Sequence, residues 1–337
     1  MHMANELLSV PVAATSLAVA SAAVAAICRS LRHAVSSDKF ALMGVLGAFV
    51  FAAQMVNFQL PFMPGTSGHM VGAVLLAIIL GPAMASIVMT SIIIVQCLIF
   101  QDGGLLALGC NIINMALIPS FLGFAVYNLL APLTKRNTGL YASAIAASII
   151  AVQAGACMVP AQAALSGILT VPFKTFLFTM LGVHLIIGIV EGAATAAVLA
   201  YLGQVRPDIV EGKLPGHIRM QKKTVLATFA VGAIVLGAGI SLLASSNPDG
   251  LEWSYLSRPE NPGFESIIAN HSTTMTSVDE FHAKLAPLPD YTVANDNAGA
   301  GWTSLSAIVG SGLTMAVIYG LSICIRSRKQ SQCTMPT

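Results

Sequence analysis

Residues 174–204 read KTFLFTMLGVHLIIGIVEGAATAAVLAYLGQ. Behind its leading lysine the stretch holds one carboxylate, Glu191, and one imidazole, His184; everything else is apolar, small or uncharged. A helix needs about 20 mostly apolar residues to cross the hydrocarbon core of a bilayer, with a range of about 17–25. This stretch exceeds that length and therefore reads as a membrane-crossing helix. His184 and Glu191 are seven residues apart and share one face of it. Ionisable groups at that depth are costly and are normally paired or functional.

The same pattern recurs on either side. Apolar runs occupy residues 10–31, 40–58, 69–82, 84–100, 105–131 and 139–168 before it, and 224–245 and 302–325 after it, nine in all. The third is short and ends at Gly81-Pro82, which predicts a tilted, broken or re-entrant helix with its free backbone groups covered by protein. Pro119 and Pro160 predict kinks in the fifth and sixth. Of the 337 residues, 56% are hydrophobic and 9% charged, against about 25% charged in ordinary soluble domains. The expected fold is an all-α polytopic membrane protein: a bundle of about seven helices over residues 1–204, then a C-terminal two-helix hairpin over 224–325. A polar basic linker, 205–223, joins them. The hairpin carries a long outer loop, 246–301, and a tail follows at 326–337.

Lysine and arginine set the orientation. With the N-terminus outside, thirteen of the sixteen fall on the inner side, at 29–39, 135–136, 206–223 and 326–329. Only Lys174, Arg258 and Lys284 fall outside. Residues 1–9 contain no Lys or Arg, and Arg29 and Arg32 follow the first run, so that run reads as an uncleaved span rather than a signal peptide. The expected location is a cell (inner) membrane of a bacterium or archaeon, N-terminus outside and C-terminus cytoplasmic.

Several classes of function are disfavoured. The net charge is +2 and the basic residues form no stripe, so nucleic acid is not an expected partner. No Walker A sequence occurs, so the chain is not expected to bind ATP through a P-loop. The six cysteines fall mostly in apolar runs without CxxC spacing and read as small buried hydrophobes.

Other residues invite metal chemistry. The α-amine of Met1, the amide nitrogen of His2 and the His2 imidazole can close adjoining five- and six-membered chelate rings, a planar nitrogen set suited to Ni²⁺ or Cu²⁺. Taken alone, the pair also reads as an ordinary chain start. His69, in Gly65-Thr66-Ser67-Gly68-His69, lies on the same side of the membrane under the topology above; with His2 it becomes a candidate fourth ligand. Asp102-Gly103-Gly104 occupies an outer turn on that side, where Asp102 either supports the ligands or makes the turn. Asn111 and Asn114 share a helix face and are expected to tie helices together. His184 and Glu191 either bond one helix to another, support the metal site, or gate it. His271 and His282, in the outer loop, match no tight site.

These motifs together resemble one family. Met1-His2, residues 65–69, Ala107-Leu108-Gly109-Cys110-Asn111-Ile112-Ile113-Asn114-Met115 and the stretch from His184 to Glu191 are similar, in order, to the CbiM/NikM group, the substrate-binding membrane component of cobalt and nickel energy-coupling-factor transporters. Asn247-Pro248-Asp249-Gly250-Leu251-Glu252 is similar to the CbiN/NikN-like (PDGLE) accessory component, fused here behind the first part. The resemblance implies that Ni²⁺ or Co²⁺ is held by the amine of Met1, the amide and imidazole nitrogens of His2, and His69. It implies no enzyme activity of the chain's own: a coupling transmembrane subunit and ABC ATPase subunits would be partners, and the metal is cargo rather than cofactor. Many relatives continue Met-His-Ile into an acidic-glycine turn; here Met3-Ala4-Asn5-Glu6 follows, and the ligand positions are unchanged. Ser67, Asp102, Asn111, Asn114, His184 and Glu191 are the expected supporting or gating residues. The rival expectation is an ion- or proton-coupled secondary transporter or channel in which His184 and Glu191 form the relay.

Overall fold

The computed structural model describes residues 1–32, 37–133, 137–205, 222–255, 273–292 and 300–330. The first part contains α1 (Val10–Leu31), α2 (Ser37–Gln54), α3 (Ala73–Leu80) and α4 (Pro82–Phe100). It continues with α5 (Leu108–Asn111), a π-helical segment (Ile112–Leu117), α6 (Ile118–Leu130), α7 (Asn137–Leu165) and α8 (Phe173–Val205). The second part has α9 (Lys222–Ile234), prolonged by irregular helical turns to Leu243, then α10 (Gly250–Tyr255), α11 (Thr273–Leu285) and α12 (Ala300–Gln330). Among the described residues the only sheet is one short antiparallel ladder, β1 (Phe58–Gln59) with β2 (Ser67–Gly68).

Among the described residues seven helical stretches are long and apolar enough to span a membrane: Val10–Leu31, Pro82–Phe100, Leu108–Leu133, Thr138–Leu165, Phe173–Val205, Lys223–Leu243 and Gly301–Ile323. The sequence reading of nine therefore divides. Seven runs qualify, the second becomes the shorter apolar helix Lys39–Gln54, and the third, 69–82, is not a span. Its helix begins at Ala73, not at His69, and has eight residues, every one of them buried. It turns through Gly81, at φ 86°, into α4. This is the broken form of that run, with its backbone enclosed by protein rather than lipid. Run 40–58 likewise stops being helical at Gln54 and enters β1. The helix α7 runs through Pro160 without a break in its assignment, whereas a π-helical turn directly precedes the helix containing Pro119.

Small residues let the helices approach. A Cβ on Gly192 of α8 would stand 2.8 Å from the Ile145 Cα of α7, and one on Gly188 would stand 3.1 Å from the Ile149 Cα. Small residues four apart are a standard way to bring two membrane helices into backbone contact. The C-terminal hairpin is not a loose appendage. Gly310 of α12 receives the Phe51 ring of α2, Gly47 of α2 receives Ile318 of α12, and Phe229 of α9 meets Phe49 edge-on at 5.2 Å. Large apolar side chains such as Leu129, Phe178, Ile189, Ile234 and Tyr319 point outward, the arrangement a lipid surround calls for. The described part of residues 246–301 contains α10, α11 and a short turn at Pro289–Tyr291. Residues 206–221 of the linker and 331–337 of the tail lie outside the described residues, as do His33, His217 and His271.

The close approach of α1 to α5 gives a test. A Cβ on Gly109 would lie 2.3 Å from the Leu17 backbone nitrogen, and backbone cannot step aside as a side-chain tip can. Gly109→Ala should destabilise by about 1–3 kcal/mol, the usual cost of overpacking, visible as a lower melting temperature in detergent. An unchanged melting temperature would contradict this packing.

Candidate metal site

The chain start turns into the bundle. Met1, His2, Met3, Asn5, Leu7 and Leu8 are all buried, which a terminus achieves only if its polar groups find partners. Asn111 supplies two: its Oδ1 accepts the Met3 N–H at 2.7 Å, and its Nδ2 donates to the Met3 carbonyl at 3.3 Å. The Gly104 N–H also donates to that carbonyl, at 2.8 Å. Asn5 Oδ1 accepts from the Leu106 and Ala107 amides, and Asn5 Nδ2 donates to Asp279 of α11 at 2.6 Å. Gly103 is required at its position: φ is +86°, and a Cβ would stand 2.6 Å from Asn111 Nδ2.

This burial brings the Met1 α-amine, His2 and His69 together. The two imidazoles stack with centroids 5.4 Å apart and an interplanar angle of 24°. A chain of amides fixes which His2 nitrogen carries hydrogen. The Val71 carbonyl can only accept, so Gln54 offers it Nε2, at 2.6 Å. Gln54 Oε1 then accepts from Gln96 Nε2 at 2.7 Å, and Gln96 Oε1 is left to accept from His2 Nε2 at 3.0 Å. With Nε2 donating to Gln96, Nδ1 is the ring nitrogen on the side of the His2 amide, at the spacing of a six-membered chelate ring. Nδ1 lies 3.1 Å from Asp102 Oδ1, an ion pair when the ring carries its second proton. His69 Nδ1 donates to the Met70 carbonyl at 3.1 Å, leaving Nε2 with its lone pair. Burial, then the nearby positive charges of the Met1 amine and His2, lowers the His69 pKa to about 4, so the ring is neutral at physiological pH.

The amine itself meets a residue of the second part. Met1 N lies 3.2 Å from Asp249 Oδ2, and the Met1 side chain is 1% exposed. Burial on its own would raise the Asp249 pKa; the Met1 ammonium and the two histidines outweigh it and hold the carboxyl below the usual carboxylate range. Asp249 Oδ1 meanwhile caps α10, accepting the Leu251 and Glu252 amides at 2.8 Å each, and Glu252 Oε2 accepts the Asp249 N–H at 3.1 Å. This reciprocal pair is a capping box with aspartate in the serine position. Burial and the charge of Asp249 push Glu252 up to about 7. The turn docks closely: a Cβ on Gly250 would lie 2.2 Å from Val183 of α8, Leu251 is fully buried, and the Ser67 N–H donates to the Pro248 carbonyl at 2.9 Å. Over the site opens a cavity of about 680 Å³ that reaches His2 and His69. Glu6, Asp102, Asp249, Glu252, Asp279 and Asp290 line it, and among the described residues no Lys or Arg does.

The expected supporting residues take distinct places. Asp102 faces His2 and accepts the Tyr291 hydroxyl. Ser67 Oγ donates to the Asn247 carbonyl at 2.8 Å, so it joins the two parts of the chain. Asn111 clamps the chain start, whereas Asn114 exchanges two hydrogen bonds with Gln162 of α7, at 2.8 and 3.0 Å. Glu191 accepts the Val71 and Gly72 amides at 2.7 and 3.1 Å and so holds the loop behind His69. His184 bonds its own helix at the Met180 carbonyl, 2.8 Å away. Gln54 and the Asp249 contact with Met1 were not foreseen. The spacing Asp249-Gly250-Leu251-Glu252 does carry a capping-box signal, but nothing local says that its other oxygen faces residue 1. Among the described residues no three His, Cys, Asp or Glu side chains group as a metal site.

Comparison with known proteins matches residues 2–209 to the family model described as the cobalt uptake substrate-specific transmembrane region, CbiM. The chain belongs to the CbiM family. Residues 223–327 match the PDGLE domain, so a PDGLE domain follows the CbiM region in one polypeptide. This makes the protein a membrane component of nickel or cobalt transport. A putative fused nickel transport protein NikMN from Archaeoglobus fulgidus is 31% identical over 83% of this chain and 85% of its own length. The fused nickel transport protein NikMN of Rhodobacter capsulatus is 30% identical over 89% of this chain and 90% of its own. A crystal structure described as a transition metal transporter superposes with a TM-score of 0.54 at 29% identity, over 60% of this chain and 92% of that one.

The Asn111 clamp predicts how firmly the chain start is held. Asn111→Ala leaves the buried Met3 N–H unpaired, at a cost of about 1–3 kcal/mol. Hydrogen exchange at residues 3–8 should accelerate while α7 and α8 stay protected. Equal exchange in both proteins would contradict the clamp.

Proposed function

We propose that this chain is the substrate-capture component of an ATP-driven energy-coupling-factor importer for Ni²⁺ or Co²⁺. The cation binds from the outer side through the Met1 α-amine, the His2 amide nitrogen and Nδ1, and His69 Nε2. The observation that carries this reading is the meeting of the amine, His2 and His69 in one buried pocket beneath an acidic cavity. Four nitrogens, three of them in two fused chelate rings, suit late first-row divalent ions. The cavity carboxylates attract the dication and raise its local concentration. Asp249 faces the amine and Asp102 faces His2 Nδ1, so two of the three chelate nitrogens are held in position by carboxylates.

The placement of Lys and Arg supports an outward-facing N-terminus. The coupling subunit and ATPases are partners under this reading, and residues 205–223 and 326–337 are the inner-side segments available to them. The rival proton relay finds less support, because both Glu191 oxygens are occupied by backbone amides and His184 bonds within its own helix.

The reading is tested by blocking the amine. One residue added before Met1 should remove stoichiometric Ni²⁺ binding, as should His69→Ala. The losses should exceed the roughly 10–100-fold typical of an outer-shell change, with the protein still folded. Binding that survives the added residue would overturn the chelate. Coordination also requires each nitrogen to be free of its proton and the His2 amide to lose one, so affinity should fall as pH falls. His69, with a pKa of about 4, is neutral throughout the neutral range, so the dependence there comes from the other nitrogens. Equilibrium dialysis across that range measures it; a flat profile would contradict the proposal.

A further inference from the structure

His184 is 1% exposed, and its Nε2 has no hydrogen-bond partner among the described residues. Its Nδ1 donates to the Met180 carbonyl at 2.8 Å, and a carbonyl cannot donate in return. The hydrogen of the neutral ring is thereby fixed on Nδ1, and Nε2 is left as a bare acceptor at the far end of the imidazole. Buried acceptors without a donor are rare and each calls for an explanation. This one borders a small cavity of about 10 Å³ whose other walls include Met1, His69, Asp249 and Gly250. A space of that size is at the lower limit for even one water. The Met1 amine borders the same cavity and has hydrogens beyond the one it gives to Asp249.

Resting on the metal-capture reading above, we propose that His184 is a positioning residue for the bound metal: its Nε2 accepts the second N–H of the metal-bound Met1 amine. The argument is one of valence. A coordinated primary amine is tetrahedral, bonded to its Cα, to the metal and to two hydrogens. Asp249 takes one hydrogen. If His184 takes the other, three of the four directions are fixed, and the lone pair has only the direction of His2 and His69 left to it. The rigidity of α8 serves this geometry, since the ring is bound to its own helix at Nδ1. The unpaired Nε2 is then the acceptor for that N–H.

Two variants separate this role from packing. His184→Leu removes the acceptor and fills the space with apolar volume. The metal-free protein should be as heat-stable as wild type or more so, because a buried unsatisfied group is gone. Its Ni²⁺ affinity should nevertheless drop about 10–100-fold, with a shifted ligand-field absorption of the bound ion. His184→Gln, whose amide oxygen reaches the Nε2 position, should restore most of the affinity and the wild-type spectrum. Wild-type affinity in His184→Leu, a loss that tracks lowered metal-free stability, or failure of His184→Gln to rescue would each overturn the proposal. Protein with its amine blocked is measured alongside. If blocking has no effect, the capture reading itself has failed; if blocking abolishes binding while His184→Leu does not, only the role of His184 has.

Discussion

A buried ammonium group governs this structure. The first residue of a chain is ordinarily its loosest, yet here the Met1 side chain is 1% exposed and its amine lies 3.2 Å from the Asp249 carboxylate. An isolated charge is not stable in such a place; it needs a counter-charge and good hydrogen bonds. The counter-charge is the Asp249 carboxylate, 248 residues away, and Asn111 and Gly104 hold the backbone of Met3 just behind the amine. The PDGLE turn therefore does more than end a loop. One oxygen of Asp249 caps α10 and the other faces the chain start, so the fold of the second part and the placement of residue 1 depend on a single side chain.

The two parts also share packing and a cavity. The α2 helix is packed by α12 through Gly310 and Gly47 and by α9 through Phe229. Above it, the acidic cavity takes Glu6 and Asp102 from the first part and Asp249, Glu252, Asp279 and Asp290 from the second. Neither part alone encloses the space over His2 and His69. The relay from Val71 through Gln54 and Gln96 to His2 adds a further restraint: it sets the imidazole's hydrogen on Nε2 by the fixed polarity of one carbonyl. A metal ligand's outer partner commonly fixes its tautomer in this way.

Much of this is legible in the sequence, and the exceptions have physical causes. Seven spans follow from apolar length alone. Run 69–82 misleads because hydropathy records burial, not what does the burying: a half-length helix wrapped by α4 and α6 is as apolar as one wrapped by lipid. Its helix also starts four residues after His69, since Gly72, at φ 79°, and the Glu191 bonds to Val71 and Gly72 hold the segment extended first. Met1, His2 and His69 lie together in the structure. Asn111 proves to hold the chain start where a helix–helix bond was expected, because a side chain's partner depends on tertiary placement that periodicity does not encode. The same limit hid Gln54 and the second oxygen of Asp249.

The central claim is that the cation binds the chain's first nitrogen. Pulsed electron paramagnetic resonance of the Cu²⁺-loaded protein, grown with ¹⁵N-methionine, addresses it directly. Fifteen methionines carry the label, but only the Met1 nitrogen would bind the metal; the Met3 amide donates to Asn111 instead. The account predicts one strongly coupled ¹⁵N nucleus, which disappears when a residue is added before Met1. A spectrum with only ¹⁴N in the strongly coupled set would contradict it.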